Sequence, residues 1–352
     1  MRRLRMPALA AVIACLVAAV VPAPASSSRD SARALSAYAA MQRYLYDSRG
    51  GTYREQVGAS SPAHAWPLSQ AIAGAIGAAR LPGAHAVAVR LRALEPLRDG
   101  RVYAASAGGD VYYDDNEWIA GDLLDWDALH TSPAARARAV AIFAAVVDAW
   151  DDANGACPGG VQWTDAAGND DRNAVTTANG AVLGLRLYAL TERPGYLVWS
   201  KRMLVWLDRC LLAPDGLYRD HIRGDGSVDA SEWSYNQGSA IAAYVELYES
   251  AGDPTALARA EQIAGAALAH FQGRWLTAEP PEFAAIFFRN LLALAAVDGR
   301  QTYVDAAESY GAAAWVRLRD PRTGLFSFHG PARLLDQAAA VQLYAALATA
   351  SP

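Results

Sequence analysis

Lysine is almost absent from this 352-residue chain: of 31 basic residues Lys201 alone is a lysine, and 36 acidic residues leave a formal charge of −5. A protein that holds nucleic acid or an anionic membrane by charge carries the opposite balance, so neither is an expected partner. Histidine is sparse and scattered, at His64, His85, His130, His221, His270 and His329, with no HxxxH, HExxH or paired Cys/His spacing that builds a zinc site. Also lacking are a GxSxG elbow, a GxxxxGK[ST] loop and a strand-borne GxGxxG, so serine-hydrolase and nucleotide chemistry lose their signatures. No metal and no cofactor is expected. With 53% hydrophobic residues, 28 glycines and 17 prolines, the chain is neither disordered nor collagen-like and has enough apolar side chains for a large core.

What is present begins with a targeting segment. Arg2, Arg3 and Arg5 precede an apolar run from Met6 to Val21, and Ala23-Pro24-Ala25 offers small residues for cleavage. The reading is a secretory signal over residues 1–25 and one mature domain over 26–352, exported, monomeric and without stable membrane insertion after cleavage. The run is short for a membrane span. Val12-Ile13-Ala14-Cys15 fits a lipidation box loosely, since the apolar run continues past the cysteine. Cleavage removes three arginines, leaving a charge of about −8. Of three cysteines it leaves Cys157 and Cys210 in an oxidising compartment, where one disulfide and two buried thiols both stand open.

From Ser31 onward long Ala- and Leu-rich segments carry apolar residues at helical spacing, and few stretches alternate as strands do. Ten helices are read from this pattern, among them 61–79, 133–150, 173–191 and 331–350. Between helices a glycine is followed within three residues by an aromatic six times: Gly51-Tyr53, Gly109-Tyr112, Gly160-Trp163, Gly216-Tyr218, Gly273-Trp275 and Gly324-Phe326. Successive glycines lie 51 to 58 residues apart, room for two helices each. Six equal helical hairpins predict an all-α (α/α)6 toroid with inner helices around a central cleft and the repeated turns on one rim. An open solenoid of the same period is the alternative, disfavoured because the count stops at six and no hydrophilic capping repeat is evident.

One segment stands out: Gly108-Gly109-Asp110-Val111-Tyr112-Tyr113-Asp114-Asp115-Asn116-Glu117-Trp118-Ile119-Ala120 sets two adjacent carboxylates among aromatics where a helix is expected to start. Glycoside hydrolysis is the chemistry that uses such a pair: one carboxyl, its pKa raised by its neighbour, protonates the leaving oxygen while the other stays ionised. Spacing alone leaves a second reading open, because Asp114-x-x-Glu117 resembles a capping box and acidic residues suit a helix N-terminus. Two further pairs, Asp151-Asp152 and Asp170-Asp171, lack flanking aromatics and read as solvated loop residues.

The order of motifs resembles glycoside hydrolase family 76. Its likeness runs from Trp66-Pro67-Leu68-Ser69-Gln70 through Tyr113-Asp114-Asp115-Asn116-Glu117-Trp118, Gly159-Gly160-Val161-Gln162-Trp163, Thr177-Ala178-Asn179-Gly180, Asp215-Gly216-Leu217-Tyr218-Arg219-Asp220 and Ser234-Tyr235-Asn236-Gln237-Gly238 to Asp336-Gln337. The resemblance implies an (α/α)6 barrel, no cofactor, and a retaining endo-acting hydrolase of α-1,6-mannan, with Asp114 as nucleophile and Asp115 as general acid/base. It implies sugar contacts from Trp163, Asn179, Asp220, Tyr235, Asn236 and Gln237, from Tyr113 and Trp118 beside the pair, and from Arg289 near a further motif. One departure is Ala284, where the family pattern leads one to expect lysine. Transfer of mannose-containing glycans to another acceptor, and mannan binding without catalysis, are the alternatives.

Overall fold

The structure is a computed structural model and describes residues 25–350 apart from residue 154; all but the last residue of the expected signal lies outside them. The helices are α1 (Ala25–Tyr44), α2 (Ala65–Ala79), α3 (Tyr113–His130), α4 (Pro133–Asp148), α5 (Ala174–Thr191), α6 (Pro194–Cys210), α7 (Ser234–Ala251), α8 (Pro254–His270), α9 (Pro281–Asp298), α10 (Gln301–Arg317) and α11 (Leu334–Thr349). Six of them form a closed ring: α2, α3, α5, α7, α9 and α11 each pack on the next, and α11 returns to α2. Closure decides for the toroid against the solenoid. Outer helices cover this ring, with α4 on α3 and α5, α6 on α5, α8 on α7, α10 on α9, and α1 on α11. The sixth hairpin thus joins the two ends of the chain.

Burial follows position in the rings. Outer α10 buries one stripe, Tyr303, Ala307, Tyr310 and Ala314, at the 3- and 4-residue spacing of a one-faced helix. Inner α11 buries nearly every residue from Leu334 to Ala345, because it is packed on all sides. Local signals set the ends: proline opens α4, α6 and α8, Ser132 and Asp253 cap α4 and α8 through their side chains, and left-handed Gly252 and Gly299 stop α7 and α9. Close approach accounts for Gly238, where a Cβ would lie 2.7 Å from the Cα of Phe287, letting α7 and α9 touch. Among the described residues no helix is long and apolar enough to cross a membrane. Cys157 and Cys210 are joined by a disulfide, tying the loop after α4 to the end of α6.

Two expectations need correction. Between α2 and α3 the outer element is a short 3-10 segment, Leu91–Leu97, which contains Pro96, and not an α-helix. The second turn of the repeat is also not Gly109-Tyr112. It is the hairpin of β3 (Arg98–Asp99) and β4 (Val102–Tyr103), built like that of β1 (Tyr46–Asp47) and β2 (Thr52–Tyr53).

A common device pins these turns. The fourth residue of an inner helix turns its side chain back to accept the backbone N–H of the buried turn residue: Asn116 from Tyr103, Thr177 from Val161, Gln237 from Tyr218 and Gln337 from Phe326. Asn116 and Gln237 also donate to the carbonyls of Tyr103 and Tyr218, closing two-way clamps. Ala284 is that same fourth position in α9, fully buried and unable to form the clamp. Gln237→Ala strands a buried N–H and C=O, and is expected to cost about 3 kcal/mol, read as a lower urea midpoint with unchanged slope.

Candidate active site

All six inner helices begin at one rim, because each follows a turn from an outer element. Around that rim lies a pocket of about 550 Å³. Asp114 and Asp115 enter it from the first turn of α3, Tyr112 and Trp163 from the turns beside them, Trp66 from α2, Tyr235 from α7 and Phe283 from α9. A three-stranded antiparallel sheet supplies the remaining wall: β5 (Arg172–Asn173), β6 (His221–Ile222) and β7 (Val228–Asp229) bring Asp171, Asn173, Asp220 and His221 together. Among the described residues no lysine or arginine lines the pocket. Arg172 supports it from behind, its buried guanidinium donating to the carbonyls of Ala156, Cys157, Gly159 and Arg223.

Asp115 is buried, Asp114 half-buried, and the two carboxyls repel one another. Burial pushes Asp114 above the usual carboxylate range, opposed by backbone N–H groups of the first turn and by the Trp163 side chain. Asp115 is pushed well above that range, first by burial and then by the charge of Asp114, with no opposing hydrogen bond. Both carboxyls are therefore held toward the protonated form, as an interacting pair that cannot readily carry two charges at once. The capping-box reading does not hold, since Tyr112 is the N-cap of α3 and the Glu117 side chain is buried one turn further on with both oxygens unpartnered.

Aromatic rings flank the acids on both sides. Tyr112 and Trp163 meet edge to face at 5.0 Å, while Tyr235 and Phe283 stack at 4.0 Å and 5° with Trp66 at 6.0 Å from Phe283. Such faces suit the apolar side of a sugar ring, and the carboxylates its hydroxyls. Asp220 is oriented by its neighbours, accepting from Asn236 Nδ2 at 3.0 Å and lying 2.8 Å from His221 Nδ1.

Of the residues singled out by sequence, the structure brings Asp114, Asp115, Trp163, Asp220 and Tyr235 into this pocket. Asn236 and Gln237 are buried behind it as a support for Asp220 and as the clamp on Tyr218. Tyr113 is half-buried outside the lining, its backbone N–H donating to the Trp163 carbonyl, and Tyr112 takes the place in the pocket. Trp118, Asn179 and Arg289 line a different chamber, deeper in the barrel. Sequence reasoning missed His221, Phe283 and Asp171. The last was read as a solvated loop residue, but pairing of β5 with β6 draws it to the pocket, 3.8 Å from His221 Nε2. Among the described residues one group converges closely enough for a metal ion, Asp215, Glu232 and His270, and it shares no residue with the pocket.

A closed helical barrel with buried acids between aromatic walls, at the rim where its inner helices start, defines a carbohydrate-processing protein. The chain belongs to glycosyl hydrolase family 76, whose family model matches residues 28–282. Among curated proteins, the mannan endo-1,6-alpha-mannosidases DCW1 of Candida glabrata and Saccharomyces cerevisiae are each 28% identical, over 123 and 144 residues. These stretches cover 32% and 38% of this chain but only 27% and 31% of those relatives. In structure the chain resembles the family 76 mannosidase Bt3792 of Bacteroides thetaiotaomicron, with a TM-score of 0.82 at 22% identity, covering 91% of this chain and 98% of that one. It also resembles an α-1,6-mannanase of Salegentibacter sp. HEL1_6, with a TM-score of 0.78 at 19% identity over 92% and 99% of the two chains. That structure holds α-1,6-mannotetrose and is of a variant made inactive by replacing two consecutive aspartates with alanine.

Proposed function

We propose that the mature chain, residue 26 onward, is an exported, single-domain, monomeric hydrolase that cleaves α-1,6-mannosidic bonds within mannan and retains anomeric configuration. The observation that carries this reading is the adjacent Asp114-Asp115 pair in the first turn of α3, set among Tyr112, Trp163, Tyr235 and Phe283 in one pocket. The names of the curated relatives support the substrate, and the inactive Salegentibacter variant supports the two consecutive aspartates as its seat of chemistry.

In this reading the Asp114 carboxylate attacks the anomeric carbon while Asp115 gives its proton to the departing glycosidic oxygen, forming a covalent mannosyl ester. Asp115, now ionised, takes a proton from water, and that water's oxygen displaces Asp114 from the same carbon. Asp220, held by Asn236 and His221, presents a fixed acceptor to sugar hydroxyls, and the rings of Trp163, Tyr235 and Phe283 exclude water from the ester. Linear α-1,6-mannan incubated with the protein is expected to give small oligosaccharides released first as the α-anomer, read by mass and proton NMR. First release of the β-anomer would refute retention, and intact mannan after exposure to folded protein would refute the hydrolase. Products longer than the substrate would mean transfer to sugar in place of water.

A further inference from the structure

Below the catalytic pocket the barrel interior holds a second chamber of about 390 Å³, and the two share no lining residue. It runs from the second turn of α3 and α5, with Gln70 and Ala73 of α2, to the last turns of α7 and α9, and its size falls in the range of small-molecule sites.

Its polar groups are mixed in kind and incompletely used. Asp122 is 4% exposed and its Oδ2 has no hydrogen-bond partner; Asn179 is 6% exposed and its Nδ2 has none. Both line the chamber. A buried carboxyl oxygen and a buried amide donor left open cost free energy unless a ligand or water meets them. Arg289 enters from α9, held by the amide oxygen of Gln342 at 2.7 Å, and its guanidinium lies 6.0 Å from the ring centre of Trp118. Trp118 and Val245 supply apolar surface beside these groups.

The composition decides the ligand class. Five carboxyls line it, unpartnered Glu117 and Asp122 among them, and would repel a phosphate; an alkyl diamine would meet the guanidinium of Arg289 and that of Arg186, which is bonded to Asp125. A neutral ligand rich in hydroxyls uses donors and acceptors alike, since each hydroxyl both gives and takes a hydrogen bond. We propose that this chamber is a second binding site, for a neutral sugar of hexose size, independent of the catalytic pocket.

Titration of the mature protein with D-mannose, followed by saturation-transfer NMR and tryptophan fluorescence, tests this directly. Ala293 is exposed on the chamber wall, so Ala293→Phe projects a ring into open space. It is expected to weaken D-mannose binding about tenfold or more, whereas the combined Asp114→Asn and Asp115→Asn variant keeps that binding. Should Ala293→Phe fail to fold, Asn179→Asp, which removes the open donor at constant shape, is expected to weaken binding in the same direction. Undiminished binding in the folded chamber variant, or loss in the catalytic-pair variant alone, would overturn the proposal. So would a chamber that takes 1,4-diaminobutane or inorganic phosphate, with sensitivity to Ala293→Phe, and no hexose.

Discussion

Asp114→Asn is expected to yield a folded protein whose kcat on α-1,6-mannan is lower by about 10⁴-fold or more, the scale on which loss of a covalent nucleophile is felt. Asparagine keeps the shape of the first turn but cannot attack the anomeric carbon. Asp115→Asn is expected to cost about 10²–10⁴-fold on mannan, the contribution of a general acid. It should cost far less on a mannoside with a good leaving group, whose departure needs no proton. Azide separates the roles further. In the Asp115 variant it should attack the mannosyl ester and give a retained mannosyl azide. In the Asp114 variant it can only replace the missing nucleophile and give the inverted one. The opposite pair of outcomes would exchange the two assignments. Because adjacent carboxyls titrate as a pair, the stereochemistry of rescue assigns them more cleanly than a pH profile does.

The ring was legible in the sequence because it is written in repetition. Each outer helix must end, reverse and re-enter the core, and only a tight turn with a large buried residue does so; hence a glycine and an aromatic at near-constant spacing. Repetition alone could not tell which aromatics plug turns. In two repeats the plug is Tyr103 or Val161, and the rings assigned to turns, Tyr112 and Trp163, are thereby freed to wall the pocket. Asp171 escaped notice because its place depends on pairing of β5 with β6, residues about 50 positions apart in the chain. Trp118, Asn179 and Arg289 fall in motifs, but motif order carries no depth along the barrel. Asp114 and Trp118 start from one helix end and finish in different chambers.

Glu117 gives the second large effect. Its carboxyl is buried one turn below Asp114, both oxygens lack partners, and a Cβ on Gly180 would sit 3.0 Å from Oε1, so it is wedged between α3 and α5. Burial first, and the charge of Asp114 second, hold it well above the ordinary glutamate value of 4.5. The sign of the consequence is fixed: the folded chain keeps a proton that the unfolded chain has released, so stability falls as pH rises from that ordinary value to the folded one. Each pH unit in that window costs up to about 1.4 kcal/mol. Glutamine cannot ionise, so Glu117→Gln removes this slope. The variant should differ from the parent by a constant near pH 4.5 and gain on it steadily toward alkaline pH, measured by urea unfolding at several pH values. A difference that does not change with pH would mean that Glu117 is ionised in the folded protein. Asp122 is held up in the same direction, chiefly by burial, and Asp114 and Asp115 add to the slope. The burial that lets Asp115 hold a proton for catalysis is therefore of the same kind that makes the folded barrel weaker in alkali.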